Sequence, residues 1–204
     1  ALELGGIAAI HAIGDRANAA VLDFYEDLIG DGADPGRLRI EHASILGPGE
    51  IASFARLGVT ASVQPAFMAS ETEWLEKRVG SERLLQSYPL RTLLDAGVPL
   101  AGGSDCPVEP PHPLPGIAAA RDRCGIVPEE ALTAGEALDL FTAGAARSML
   151  EPTPLAVGSP ADFIILDVDP LQATPDELRA AQVVATYVDG EPVDIPAGIL
   201  TWQE

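Results

Sequence analysis

Basic residues are scarce in this 204-residue chain: Lys and Arg number 12 against 31 Asp and Glu, for a formal charge of -19 at pH 7. A surface so acidic repels polyanions, so neither nucleic acid nor an anionic membrane is an expected partner. Cysteine is nearly absent as well. Cys106 and Cys124 form no Cys-x-x-Cys or other ligand spacing, which argues against a disulfide framework and a cysteine zinc site. The reducing cytoplasm is the compartment such a composition suits. No apolar run reaches the roughly 18 residues of a membrane helix. The uncharged opening from Leu4 to Gly14 is short, has no basic residue ahead of it and runs into His11, unlike a signal peptide. Also missing are a dinucleotide fingerprint, a phosphate loop ending in Gly-Lys-Ser/Thr, and the Gly-x-Ser-x-Gly elbow of a serine hydrolase.

What is present is apolar: 47% of the residues are hydrophobic, enough for a sizeable core in one or two domains. From residue 1 to 150, short apolar runs alternate with amphipathic segments, the rhythm of βα units around a parallel sheet. The runs are Gly6 to His11, Leu38 to His42, Val59 to Gln64 and Val98 to Ser104, each nearly free of charge until its C-terminal end. Between them, Ala20, Val21, Phe24, Tyr25 and Leu28 recur at helical spacing, as do Ile51, Phe54, Ala55 and Leu57 before a stop at Gly58. Leu90, Leu93 and Leu94 mark another helix, and Thr133 with Glu136 forms a capping box for one that closes near Leu150. Residues 151-204 read differently. Pro152, Pro154, Gly158 and Pro160 punctuate a linker, and Phe163 to Leu166 and Val183 to Val188 then read as strands. Asp189-Gly190 offers a hairpin turn, and Pro175 to Ala180 a short helix. The chain opens on Ala1 and enters at once on a helix end followed by a strand, so an upstream portion is expected to have been removed.

Polar chemistry gathers where the apolar runs stop. His11, His42 and Asp105 sit at such ends, 31 and 63 residues apart, about one and two βα units if a unit takes roughly 30 residues. They would come from the first, second and fourth strands, and parallel strands present their C-terminal ends on one face. Two imidazoles and a carboxylate suit a divalent ion such as zinc and leave room for a water. A carboxylate touching both could shuttle the water's proton to a leaving amine. Asp15 and Arg16, in the loop after His11, either orient substrate or cap a helix, and Gln64, ending the third run, could line the pocket. Glu41 faces away from His42 by strand alternation and reads as half of a structural salt bridge. His112 reads as a surface-loop histidine, Cys106 as a small buried packing residue, and Phe67 and Trp74 as either substrate contacts or packing.

The strings His11-Ala12-Ile13-Gly14-Asp15-Arg16, Arg39-Ile40-Glu41-His42-Ala43, Gly103-Ser104-Asp105-Cys106-Pro107-Val108 and Gly158-Ser159-Pro160-Ala161-Asp162 resemble the amidohydrolase superfamily. Within it they are closest to the family 3 branch that includes N-substituted formamide deformylase. The resemblance implies an α/β fold: strands 5-8 of a (β/α)8 barrel over residues 1-150, plus C-terminal strands of a composite β-sandwich over 151-204. It also implies one or two divalent ions, with zinc the expected metal, bound by His11, His42 and Asp105, and Asp105 as the proton shuttle. The implied reaction is hydrolysis of a C–N bond in a small-molecule N-acyl or N-formyl amide by a metal-activated water. The chain departs from that pattern by lacking a His-x-His pair and any strand-4 ligand ahead of His11. A fragment with little activity alone is therefore expected, completed by a missing N-terminal half or by homo-oligomerisation. Two alternatives stand beside it: a non-catalytic half-barrel that assembles with another chain, and a deaminase or phosphotriesterase-like member of the same superfamily.

Overall fold

Four of the apolar runs pair side by side, all parallel, in the order β1 (Ala8–Ala12), β2 (Leu38–His42), β3 (Thr60–Val63) and β4 (Leu100–Gly102). The computed structural model describes residues 1–193, so residues 194-204 of the expected second segment lie outside the described residues. The register aligns Ala12 with His42 and His11 with Glu41, which brings the strands' C-terminal ends to a common rim. Three of these strands are shorter than their apolar runs, while β2 matches its run at both ends. The fourth ends at Gly102 rather than Ser104, and Cys106, expected to be a buried packing residue, is instead exposed in the turn beyond it.

Helices cover one side of this sheet. After β1 comes α1 (Asp15–Gly30), which buries Tyr25 and packs Val21 and Leu28 of the expected stripe on the core, adds Asn18 and Leu22, and leaves Ala20 and Phe24 exposed, Phe24 at 50%. The reason is Tyr25, whose hydroxyl stands 3.1 Å from the Ala8 carbonyl and 2.9 Å from that of Arg39, joining the helix to β1 and β2. Burial raises that phenol to about 12, so it stays protonated. The next helix, α2 (Pro48–Leu57), buries Ile51, Phe54 and Leu57 and stops at Gly58, whose φ of 70° no β-carbon opposes. Three short helices, α3 (Phe67–Glu71), α4 (Leu75–Val79) and α5 (Ser81–Leu84), fill an excursion after β3 before α6 (Leu90–Asp95) returns to β4.

Beyond β4 lie α7 (Pro113–Asp122), α8 (Ala134–Phe141) and α9 (Ala143–Ser148). The capping box at Thr133 and Glu136 forms as expected, but the helix it opens is broken at Thr142. Phe141 explains part of the packing here. Its ring lies where a β-carbon on Gly102 or Gly116 would come within 2.8 or 2.6 Å, so two glycines make the slot it occupies between β4 and α7.

The second sheet is antiparallel, β5 (Phe163–Leu166), β6 (Val183–Val188) and β7 (Glu191–Val193), with the Asp189-Gly190 hairpin turn between the last two. Helix α10 (Pro175–Ala180) interrupts β5 and β6 and packs on α7. Leu178 is fully buried in the core of the parallel sheet, and Arg179 bonds Asp122 at 2.7 Å.

Among the described residues the largest fully buried side chain is Arg123, at the exit of α7. Its guanidinium donates to the carbonyls of Tyr88 (2.6 Å), Ser87 (3.2 Å), Ile126 (3.0 Å) and Val127 (3.3 Å). Burial pulls it down to about 10, which leaves it a cation at neutral pH. It thus pins the excursion after β3 to the loop after α7. Arg123→Met removes these donors and leaves buried carbonyls unpaired, so stability should fall by about 3 kcal/mol, read as a lower urea midpoint at unchanged slope. An unchanged midpoint would show that water replaces the guanidinium without cost.

Candidate functional site

The rim of the parallel sheet is built by a departure from strand geometry. In register, His11 lies beside Glu41, and Ala12 beside His42, so an unbroken pleat would send the two imidazoles to opposite faces. Instead His42 adopts φ 79° and Ala43 φ 46°, left-handed values that turn the His42 ring to the side of His11. The ring centroids are 4.4 Å apart at an interplanar angle of 71°, an edge-to-face pair. His11 is exposed on the uncovered side of β1, whereas His42 is 7% exposed.

Three further groups fix His42. Its Nδ1 is 2.9 Å from Gln64 Oε1, and the Gln64 amide nitrogen is 3.2 Å from the Ser62 carbonyl. Phe67 lies nearly parallel to the imidazole at 6.1 Å. Gln64 is thus buried at the rim, 4% exposed, against a ring. Glu41 makes the expected salt bridge, to Arg39 at 2.6 Å, yet the turn at His42 leaves it on the same side as the imidazole pair rather than opposite.

Asp105 begins the turn after β4, exposed, with φ 54°. Parallel topology sets it on the same rim, but the structure does not gather it with the two histidines. Among the described residues no three His, Cys, Asp or Glu side chains stand close enough together to hold a metal ion. What the chain presents ready-made is a pair of imidazoles, nitrogen donors that suit a divalent transition metal.

The profile of the amidohydrolase family matches residues 3–194. The chain belongs to the amidohydrolase family. Protein LONG AFTER FAR-RED 3 of Arabidopsis thaliana is 38% identical over 90% of this chain and 33% of its own length. N-substituted formamide deformylase of Arthrobacter pascens is 34% identical over 93% of this chain and 37% of its own. The crystal structure of an uncharacterized metal-dependent hydrolase from Pyrococcus furiosus superposes with a TM-score of 0.74 at 38% identity, covering 83% of this chain and 35% of that one. The chain thus spans about a third of the length of the curated relatives it matches.

In this amidohydrolase chain the loop after His11 is held from both sides. Asn18, fully buried, donates to the carbonyls of Ala12 (3.1 Å) and Gly14 (2.9 Å). Sequence reading passes over it, although a lone amide four and seven residues ahead of Leu22 and Tyr25 on an apolar stripe is the signal that could find it. Asp15 neither caps α1 from the N-cap position nor stands free: its carboxylate pairs with Arg83 of α5, and Arg16 is exposed. His112 is half-buried rather than a free loop residue, and its Nδ1 accepts from the Leu114 amide at 3.3 Å to cap α7. Trp74 lies under the Arg78 guanidinium at 4.8 Å.

The Arg83 hydrogen bond and the Arg16 amide hold the Asp15 carboxyl below the usual aspartate range. A depressed carboxyl contributes its tie fully above the ordinary aspartate pKa, and the tie is lost as pH falls through the depressed value. Arg83→Gln should raise the Asp15 pKa toward its ordinary value in a carboxyl-carbon NMR titration. No movement of that pKa would mean the ion pair is not kept in solution.

Proposed function

We propose that this chain supplies the second half of the catalytic barrel, strands 5-8, of a hydrolase that cleaves C–N bonds in small-molecule N-acyl or N-formyl amides. The observation that carries this reading is the approach of His11 and His42 at a common strand rim, 4.4 Å between rings, achieved through left-handed backbone at His42. Strained backbone of this kind costs about 1–3 kcal/mol per residue and persists where a site requires it. In this reading His11, His42 and Asp105 hold a divalent ion, for which zinc suits the donor set, and residues 1-150 form the barrel half with 151-204 as the sandwich segment. A bound divalent ion would supply acidity, lowering the pKa of a coordinated water toward neutrality.

The chain's own residues do the rest. His11 and His42 fix where the reacting carbonyl must lie. Asp105, exposed in the turn after the fourth strand, is the carboxylate free to take a proton from water and return it to the departing amine nitrogen, as amide cleavage requires. Phe67 beside His42 gives one wall an apolar surface for the acyl group. The remaining donors would come from a complementary half, and the uncovered side of β1, where Ala9, His11 and Ile13 are exposed, is where such a half would sit.

A version extended at its N-terminus to the length of its relatives should release amine from a panel of N-formyl and N-acyl amides, read by product analysis. Asp105→Asn should lower kcat there by about 10²–10⁴-fold, the scale of general acid–base catalysis. Full activity after that change would remove Asp105 from the proposal. The 204-residue chain alone should run as an associated species in light scattering, because its open strand edges seek partners. A strictly monomeric, cooperatively folding chain would count against a half that needs completion.

A further inference from the structure

Gln64 ends the third strand with its backbone and its side chain committed in different directions. Its carbonyl accepts from the Phe67 amide at 3.1 Å, which starts the turn that carries Phe67 over the His42 ring. Its side-chain amide bridges the Ser62 carbonyl at 3.2 Å and His42 Nδ1 at 2.9 Å. A backbone carbonyl can only accept, so the Gln64 atom facing Ser62 must be the NH2 group. The atom facing His42 is then the amide oxygen, which has no proton to give. His42 Nδ1 must therefore carry a hydrogen.

We infer that Gln64 is a positioning residue that fixes neutral His42 as its Nδ1–H tautomer and leaves Nε2 bare. Buried amides of this kind hold an imidazole in both tautomer and orientation, and a ring so held presents one lone pair in one direction. The chain of hydrogen bonds, Ser62 carbonyl to Gln64 amide to His42, begins at main chain within β3, which cannot rotate. With Phe67 against one face and the edge-to-face contact with His11, the His42 ring has no freedom to present the other nitrogen. The purpose of the bare Nε2 rests on the metal reading above; the tautomer itself does not. Gln64 is buried behind His42, and its side-chain amide is committed to the ring and to the Ser62 carbonyl.

The chain has three histidines, His11, His42 and His112, so its imidazole nitrogens can be assigned one by one. Long-range proton–nitrogen NMR on the 15N-labelled chain, at a pH where the rings are neutral, should show His42 with a protonated Nδ1 and a pyridine-like Nε2. Gln64→Leu removes the acceptor and should move the proton to Nε2, while Gln64→Glu restores an acceptor and should keep it on Nδ1. Added zinc should shift the Nε2 signal of the unaltered chain, with affinity about 10–100-fold lower in Gln64→Leu. A proton on Nε2 in the unaltered chain, or an unmoved tautomer in Gln64→Leu, overturns the assignment. The expected tautomers with no response to zinc would support the role of Gln64 and tell against the metal reading instead.

Discussion

Everything at the rim depends on the backbone turning left-handed at His42. A parallel strand that ran on regularly would leave His42 on the face of Ala12, among the helices, and separate it from His11 by the thickness of the sheet. Residues 43 to 45 hold the turn. Ala43 is buried and its amide bonds the Ala12 carbonyl at 3.0 Å, Ile45 bonds Ile13 at 2.9 Å, and the Ser44 carbonyl accepts from Tyr88 at 2.6 Å. Tyr88 in turn is fixed by Arg123 through its carbonyl and by Glu71 at 2.6 Å through its hydroxyl. Burial and that carboxylate push the phenol well above its ordinary range, and burial raises Glu71 as well. The strain at one residue is thus opposed by a network reaching across the excursion after β3 to the exit of α7.

The sequence carries the repeating architecture because burial on both faces leaves a simple trace, a charge-free run that stops at a polar residue. Leu38 to His42 is legible to the residue, as are Phe163 to Leu166, Val183 to Val188 and Pro175 to Ala180. Spacing also puts His11, His42 and Asp105 on one rim, since parallel strands admit no other arrangement of their ends. Less local matters are not legible. Periodicity finds Val21, Tyr25 and Leu28 of α1 but includes the exposed Phe24 and passes over Asn18 and Leu22, because the two carbonyls on β1 and β2 that hold Tyr25 are contacts that no spacing records. Residue type misplaces Cys106, since a small thiol reads as core but here lies exposed in the turn that follows β4. Strand alternation puts Glu41 on the wrong side of His42 for the same reason that the site exists, a change of backbone hand at a non-glycine residue.

The polar groups that matter most at the rim are the least visible. Asn18 and Gln64 are uncharged, fully or almost fully buried, and spent on main-chain carbonyls and a histidine. An amide in a sequence signals neither chemistry nor core, so its role emerges only when its partners are known. The histidines can be read from their type and spacing, but what would make His42 usable as a donor, in the proposed reading, is the Gln64 amide behind it.

The site is also asymmetric in a way that fits the proposed chemistry. His42 is enclosed, hydrogen-bonded and stacked, whereas Asp105 sits on an exposed turn apart from the imidazole pair. A donor that only holds gains from rigidity, because every degree of freedom removed beforehand is one not lost on binding. A carboxylate that collects a proton at one atom and delivers it to another needs access to both. The side of β1 that carries His11 is uncovered, so whatever completes the sheet there also closes the space between the imidazoles and Asp105. Closure would exclude water from the charges, strengthening their interaction at the moment the last donors arrive. In the proposed reading the chain therefore sets the nitrogen donors in place but leaves the proton carrier waiting on assembly, which would tie catalysis to the completion of the sheet.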